Sequence, residues 1–388
     1  FCICLFFVFF FVCFFFFFFS SRSRHTSSDR DWSSDVCSSD LVGALRKFLD
    51  DEGLTENTIF IFTTDNGTSS GDRVFNAGMR GKKGSEYDGG HRVPFFIHWP
   101  KGGLTGGRDV EPITAHVDVV PTLIDLCDIE SPKGVTFDGR SIATLLHGVE
   151  LETWPDRILV TDSQRVKDPI KWRKSSVMTS RWRLINGKQL FDMQADPGQK
   201  KDVANDHPQV VGRLTAFYDA WWQELLPTFK QNAAIYLGHP AQNPTTLTCH
   251  DWITTGSTPW NQASVRSALT GARNTGFWNV KVVADGNYEI EIRRWPKETG
   301  KTLDAALKPG ANVPGVTPYR ARPGKALRIV KAEIEIGGKK TMSEPITPGT
   351  HAVTFVLPLK AGTTRLSARF ITEDGTVYGA YYAYVRKN

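Results

Sequence analysis

A carboxylate and an amide stand side by side at Asp65 and Asn66, directly after an apolar run that ends at Thr64. In an open α/β sheet, residues that follow the carboxyl end of a strand lie at the edge where such sheets bind ligands. A carboxylate oxygen next to an amide oxygen offers two hard ligands, which suit Ca²⁺ or Mg²⁺ far better than Zn²⁺. Asp-Asn-Gly is also a common turn sequence. The pair therefore predicts either a divalent-metal site or an ordinary turn.

A series of charged, glycine-spaced motifs follows this pair. Lys83 lies in RGKKG at 80–84, and YDGGHRVP follows at 87–94. In this order the motifs resemble the C-terminal part of the catalytic domain of the sulfatases, the formylglycine-dependent arylsulfatase family of the alkaline phosphatase superfamily. The resemblance covers residues 42–226, and its further motifs are HVDVVPTLIDL at 116–126, DGRS at 138–141 and QLFDMQADPGQKKDVANDHP at 189–208.

The resemblance implies roles for three residues. Asp65 and Asn66 match the family's metal ligands, which hold Ca²⁺ (Mg²⁺ is the second choice) against the sulfate oxygens. Lys83 matches the lysine that contacts the sulfate and supports the departing oxygen. A cation and a lysine fixed around those oxygens would stabilise the charge that spreads onto them as the S–O bond breaks.

The nucleophile of the family is a formylglycine made from Cys or Ser in a [C/S]-x-P-x-R motif, and no such motif occurs in this sequence. Asp50-Asp51 ends a predicted helix rather than a strand, so it does not match the family's upstream metal-binding Asp pair. The resemblance therefore implies a sulfatase fragment without its nucleophile, which we expect to be inactive as it stands.

Five neighbouring residues receive secondary interpretations. His91 is interpreted as lining the substrate mouth or as packing beside a glycine pair. Arg92 is interpreted as structural or as pairing with sulfate or a sheet edge. Lys82 is expected to face solvent, and His116 and Asp118 are expected to begin a helix rather than take part in catalysis.

Residues 1–41 have an unusual composition. Residues 1–19 are an unbroken apolar run that holds twelve of the 25 Phe and three of the six Cys, and a serine-rich stretch follows. The run is long enough for a membrane span, but it has neither the basic start nor the cleavage site of a signal peptide. Because DWSSDVCSSDL at 31–41 looks like a translated sequencing adapter, and poly-Phe like translated poly-T, we interpret this segment as an artefact rather than a genuine anchor.

The elements that position these motifs predict an α/β unit over residues 42–237. A helix is expected from 42 to Gly53, and the apolar runs at 57–64 and 93–99 are typical of strands in a parallel sheet. Residues 157–162 form a further predicted strand. Residues 175–226 are expected to form a small sheet, with a hairpin at Asn186-Gly187, and then a helix that begins near Pro208. The predicted apolar stripe of this helix consists of Val211, Leu214, Phe217, Trp221 and Leu225.

Residues 238–388 alternate apolar and polar side chains in short runs, which predicts a separate antiparallel β-sandwich. Residues 240–388 hold 20 Lys and Arg against 11 Asp and Glu, so a net charge of +9 favours an anionic partner. The tryptophans at 252, 260, 278 and 295 are interpreted as core residues or as platforms for sugar rings. A nucleic-acid partner is not expected, because no RNP, KH or zinc-finger motif is present.

The whole chain, with 40% hydrophobic and 23% charged residues, is neither disordered nor a polytopic membrane protein by composition. We expect a sulfuric ester hydrolase acting on sulfated carbohydrate, periplasmic or secreted as the resemblance implies. Two alternatives stay open. One is a metal-dependent phosphohydrolase or phosphonate hydrolase of the same superfamily, and the other is a noncatalytic binder of anionic glycans.

Overall fold

The chain divides into two compact units, Phe1–Pro227 and Thr228–Asn388. The poly-Phe run, most of the adapter-like stretch and Trp260 lie outside the residues that the structure describes. The structure is a computed structural model and describes residues 38–69, 71–149, 154–164, 166, 168–254, 258–259, 262–268, 275–309 and 323–388.

The first unit mixes helices with short strands, as the α/β prediction requires. Its helices are α1 (Ser38–Asp51), α2 (Asp88–His91), α3 (Val119–Leu126), α4 (Ala143–His147) and α5 (Pro208–Leu225). Its strands are β1 (Phe60–Thr63), β2 (Phe95–His98), β3 (Leu159–Asp162), β4 (Ser175–Met178), β5 (Trp182–Ile185) and β6 (Gln189–Asp192).

The two apolar runs of the first unit form strands, but the parallel arrangement predicted for them is wrong. β1 and β2 pair with each other in antiparallel fashion, with Phe60 opposite His98. They form a two-stranded sheet, and the Phe96 side chain is 65% exposed. A continuous apolar run shows that both faces of a strand can pack, and it does not determine the direction of the neighbouring strand.

Helix α1 begins at Ser38, inside the segment interpreted as an artefact, and ends two residues before Gly53. Gly53 has a φ of 65°, the left-handed conformation that commonly ends a helix. The boundary at residue 41 therefore does not coincide with a structural boundary.

Strands β3 to β6 form an antiparallel sheet in chain order. Asn186 and Gly187 connect β5 to β6, with φ values of 51° and 67°. Two successive positive φ angles match the twist of the flanking strands, which is why this dipeptide favours a tight hairpin. The predicted hairpin is present.

Helix α5 begins at Pro208 as predicted, but its buried stripe differs from the expected one. Leu214, Tyr218 and Trp222 are buried, whereas Phe217 is 39% exposed. The Tyr218 hydroxyl accepts a hydrogen bond from the backbone N–H of Trp172 at 3.0 Å, and the two rings stack at 3.7 Å. These contacts orient the helix through Tyr218, an aromatic residue that the predicted apolar stripe does not include.

The second unit consists of two sheets. Its strands are β7 (Ile235–Leu237), β8 (Thr245–Thr248), β9 (Trp278–Val282), β10 (Gly286–Arg293), β11 (Ile329–Ile336), β12 (Lys339–Met342), β13 (Val353–Leu359), β14 (Gly362–Thr372), β15 (Val377–Gly379) and β16 (Tyr382–Lys387). A short helix, α6 (Gln262–Arg266), interrupts the strands. One sheet has the strand order β13-β10-β16-β8, and the other has the order β12-β11-β14-β9-β7, with β15 added to β14.

The two sheets share one hydrophobic core, to which both contribute fully buried side chains such as Ile290 and Ile334. Trp252, Trp278 and Trp295 lie in this core and are at most 5% exposed. These three tryptophans are therefore core residues and offer no platform for a sugar ring.

The strand pairing of the second unit departs from the prediction at one edge. β7 pairs in parallel with β9, and Leu237 lies opposite Val282. Residues 235–237 consequently belong to the second unit, and the unit boundary at 227/228 precedes the predicted one at 237/238.

Across the described residues, no helix combines the length and the apolar character needed to cross a membrane.

Candidate functional site

Asp65 and Asn66 follow the end of β1 at Thr63, as the sequence predicts. Asp65 is exposed and Asn66 is half-buried. The side-chain amide of Asn66 donates a hydrogen bond to the carboxylate of Asp65, so the two side chains lie against each other. A carboxylate and an amide oxygen are therefore available together at the strand end.

Backbone hydrogen bonds join this strand end to the segment that carries Lys83. The Gly67 N–H donates to the Gly90 carbonyl at 2.9 Å, and the Lys83 N–H donates to the Thr68 carbonyl at 2.8 Å. A Cβ on Gly67 would lie 1.8 Å from the carbonyl oxygen of Gly89, so only glycine fits at this crossing. The structure thus brings Asp65, Asn66 and the backbone of Lys83 into one loop cluster.

The two lysines of RGKKG differ in their contacts. The ammonium of Lys82 lies 3.5 Å from a carboxylate oxygen of Asp72, in an ion pair at the surface. Lys83 is exposed, and its backbone is the part held by Thr68.

His91 and Arg92 occupy different environments. The His91 ring is 16% exposed, and its Nε2 lies 3.5 Å from the fully buried carboxylate of Asp88. Arg92 is exposed, and its backbone N–H donates to the Asp88 carbonyl at 2.7 Å. Of these two residues, His91 has its side chain packed inside the unit and Arg92 does not.

Asp118 is the N-cap residue directly before α3 and is 1% exposed. Its carboxylate accepts hydrogen bonds from the backbone N–H groups of Ala115 and Arg140, at 2.7 and 3.0 Å, and from both terminal nitrogens of Arg157. Burial alone would raise the pKa of Asp118, but the hydrogen bonds from Arg157 and from the backbone outweigh it and hold the pKa below its ordinary value.

His116 lies closer to the site than the sequence suggested. It sits in a single helical turn ahead of α3, and its Nε2 is 2.9 Å from the carbonyl oxygen of Thr64, the residue before Asp65. Sequence reasoning missed this contact because nothing in the spacing of HVDVVPTLIDL relates it to a strand that precedes it by some fifty residues.

Comparisons with known proteins show which family part of this chain is similar to. Residues 35–129 match the model of the sulfatase family. This part of the chain is therefore similar to part of a sulfatase domain. It is 34% identical to the steryl-sulfatase of Mus musculus over 239 residues, which are 50% of this chain and 38% of that protein. It is 27% identical to an N-acetylgalactosamine-6-O-sulfatase of Bacteroides thetaiotaomicron, over 46% of this chain and 39% of that protein.

A solved structure from work on glycosaminoglycan metabolism by Bacteroides thetaiotaomicron matches with 24% identity and a TM-score of 0.38, over 46% of this chain and 42% of that one. The chain thus spans well under half the length of the relatives it matches. The sulfatase match begins before residue 41 and contains Asp65, Asn66, Lys83, His91 and Arg92. The predicted order of the fold, an α/β unit followed by antiparallel β structure, is confirmed.

The oxygen donors at this strand end fit part of a site for a divalent cation such as Ca²⁺. Asp65 and Asn66 supply two hard oxygens, and Ca²⁺ takes six to eight. Among the described residues no three His, Cys, Asp or Glu side chains are grouped so that they could hold a metal by themselves. Asp65 and Asn66 would therefore hold one side of the ion, with the remaining oxygens coming from water, substrate or other parts of the protein.

Proposed function

We propose that the complete protein is a sulfuric ester hydrolase and that this chain supplies the metal-binding strand end and the sulfate-binding lysine of its active site. The observation that carries the proposal is the pair of backbone hydrogen bonds that hold the Asp65–Asn66 strand end against the Lys83 segment. The resemblance gives these three residues their roles. The match of residues 35–129 to the sulfatase family supports them.

In this proposal Asp65 and Asn66 hold Ca²⁺, which would neutralise charge on the sulfate oxygens when bound. Lys83 lies on the neighbouring segment and places a second positive charge beside the same oxygens. Its exposure is consistent with a group that meets substrate rather than a group that supports the fold. The nucleophile, a formylglycine, would come from a part of the protein that precedes these motifs.

We further propose a sulfated carbohydrate as the substrate class. One relative is named as a sulfatase of N-acetylgalactosamine, and the net charge of +9 in residues 240–388 favours an anionic polymer near the enzyme. A periplasmic or extracellular location follows from the resemblance. Residues 1–41 remain an artefact in our interpretation, although the sulfatase match already begins at residue 35.

The first test is an independent long read of the source DNA across the codons for residues 20–60. An open reading frame that runs upstream through an Asp-Asp pair and a [C/S]-x-P-x-R motif would support the sulfatase proposal. Confirmation of the poly-Phe and serine-rich codons would contradict it and favour a protein without the nucleophile.

The second test uses the complete enzyme. Asp65→Ala should remove bound Ca²⁺ and activity together, and unchanged metal content would refute the ligand assignment. Lys83→Ala should lower turnover about 10²-fold or more, as removal of a preorganised charge does. Lys82→Ala is the matched control, because this neighbouring lysine pairs with Asp72 at the surface, and we expect nearly normal turnover.

The same variants distinguish the runner-up, a phosphohydrolase or phosphonate hydrolase of the same superfamily. A sulfatase should cleave an aryl sulfate faster than the matching aryl phosphate or phosphonate. The reverse order, with Thr or an unmodified Cys as the nucleophile, would favour the runner-up.

A further inference from the structure

We propose that the buried ion pair between Asp88 and Arg183 positions Lys83, so that Arg183 is a positioning residue for sulfate binding. The proposal rests on the proposed function of Lys83. It adds that the antiparallel sheet β3–β6, together with the strand end that carries the metal ligands, fixes the segment 80–91 on which Lys83 lies. We refer to residues 80–91 as the lysine loop.

Hydrogen bonds with residues 174–199 hold the lysine loop at several points. One of them joins Arg183 Nε to Asp88 Oδ1 at 3.0 Å. The Asn186 amide donates to Glu86, and the Tyr87 hydroxyl donates to Gln189, at 3.0 and 2.9 Å. Further hydrogen bonds run from Lys174 Nζ to the Gly84 carbonyl, from Arg80 Nη1 to the Gln199 carbonyl and from the Asp88 N–H to Gln199 Oε1, at 3.0, 2.9 and 2.9 Å.

Inside the loop, backbone contacts connect Asp88 to the residues around Lys83. Asp88 begins α2, and the next residue, Gly89, donates its N–H to the Arg80 carbonyl at 2.8 Å. A Cβ on Gly89 would lie 2.3 Å from the Gly81 carbonyl oxygen, so the two ends of the loop are in close contact. Lys83, between them, is held only through its N–H to Thr68 among the contacts that the structure describes.

The loop needs such an anchor because its own sequence favours mobility. Gly81 and Gly84 flank the lysine pair with φ values of 83° and 80°, a conformation that glycine adopts without strain. Three cationic side chains, those of Arg80, Lys82 and Lys83, also lie within four residues and repel one another. Without a fixed point beyond these glycines, many loop conformations would have similar free energies.

Asp88 and Arg183 form that fixed point because both are buried. Asp88 is 0% exposed and Arg183 is 8% exposed. Arg183 Nη1 donates to the carbonyls of Thr179 and Trp182, so the guanidinium is locked to its own strand and only Nε reaches the loop. Burial would raise the pKa of Asp88, but the nearby His91 ring and the charge and hydrogen bond of Arg183 outweigh it and lower the pKa, which keeps the carboxylate ionised.

The test measures amide hydrogen exchange of the full chain in Arg183→Gln, Arg183→Lys and the control Arg181→Gln. Arg181 is two residues away and pairs with Asp192 at the surface, with no contact to the lysine loop. We expect exchange in residues 80–91 to accelerate about ten-fold in R183Q, to accelerate less in R183K, and to match the wild type in R181Q. Strands β4 to β6 should keep their protection in all three variants.

Equal acceleration in the loop and in β4–β6 would mean a purely structural role for Arg183 and would overturn the proposal. Unchanged loop exchange in R183Q would overturn it as well. If R183Q fails to fold, R183K decides the question, because it keeps the buried charge and changes only the geometry of the contact. Loop exchange in R183K equal to the wild type would then contradict the proposal.

A second readout separates this proposal from the proposed function. In the complete enzyme, R183K should lower kcat about ten-fold with little change in calcium content, whereas R181Q should change neither. Loss of the loop's protection without any effect on kcat would refute the positioning role alone. A complete enzyme without sulfatase activity would refute the proposed function and leave the exchange result standing.

Discussion

Replacement of Asp118 by Asn should destabilise the first unit more than any comparable change at its surface. The carboxylate is 1% exposed and accepts four hydrogen bonds, two from backbone N–H groups and two from Arg157. An Asn amide would turn one acceptor into a donor that faces another donor, and it would leave the Arg157 guanidinium buried without its counter-charge. Removal of one partner from such a pair costs about 3–5 kcal/mol.

That cost is large against a typical unfolding free energy of about 5–15 kcal/mol for a domain. At a slope of about 2 kcal/mol/M in urea, a loss of about 4 kcal/mol lowers the unfolding midpoint by about 2 M. The loss should also depend on pH. Because the folded pKa of Asp118 is lowered, its contribution is present above the unfolded pKa of about 3.9 and disappears as the pH falls through the folded value.

Pulse proteolysis in urea, with peptides from α3 and from β10 followed by mass spectrometry, measures the two units separately. Asp125→Asn is the matched control. Asp125 lies in α3 and is exposed, and its carboxylate accepts a hydrogen bond from the Ser141 hydroxyl. The α3 midpoint should fall in D118N and hardly change in D125N, and the difference should shrink below pH 4. Equal midpoints for D118N and D125N at pH 7 would refute the reasoning.

Two further pairs of substitutions test the packing of the first unit. Leu214→Ala should lower the unfolding free energy by about 2–5 kcal/mol, because Leu214 is fully buried. Phe217→Ala should lower it far less, because the Phe217 side chain is 39% exposed. Similar urea midpoints for the two variants would contradict the observed stripe. Gly187 and Gly53 have φ values of 67° and 65°, so an alanine at either position carries similar backbone strain. Gly187→Ala should nevertheless destabilise the protein more than Gly53→Ala, because the new Cβ at 187 would lie 2.9 Å from the Trp172 ring. Equal melting temperatures for the two variants would exclude that clash.

Local patterns predicted the elements well. The hairpin at Asn186-Gly187 and the start of α5 at Pro208 follow from backbone preferences that a few neighbouring residues determine. The antiparallel pairing of β1 with β2 could not be predicted, because hydrophobicity along one strand carries no information about the direction of its partner. The stripe of α5 was misplaced because Tyr218 counts as polar in a simple pattern, although its ring stacks on Trp172 and its hydroxyl is paired.

Some residues of the candidate site could likewise be identified from the sequence, and others could not. Asp65, Asn66 and Lys83 stand out in the sequence because their motifs are short and ordered, and the structure places the two motifs in contact through Gly67 and Thr68. Arg183 does not stand out. It contacts Asp88 across 95 positions of sequence, and nothing in the run WRLI distinguishes this arginine from an ordinary strand residue.

The parallel pairing of β7 with β9 has a practical consequence for anyone who wishes to produce the second unit alone. A recombinant fragment that starts at residue 238 would lack the whole of β7, including the fully buried Leu237. The freed side of β9 would then present unpaired backbone groups, a known cause of aggregation. A fragment that starts at residue 228 keeps this strand, and its solubility and binding can be measured without that complication.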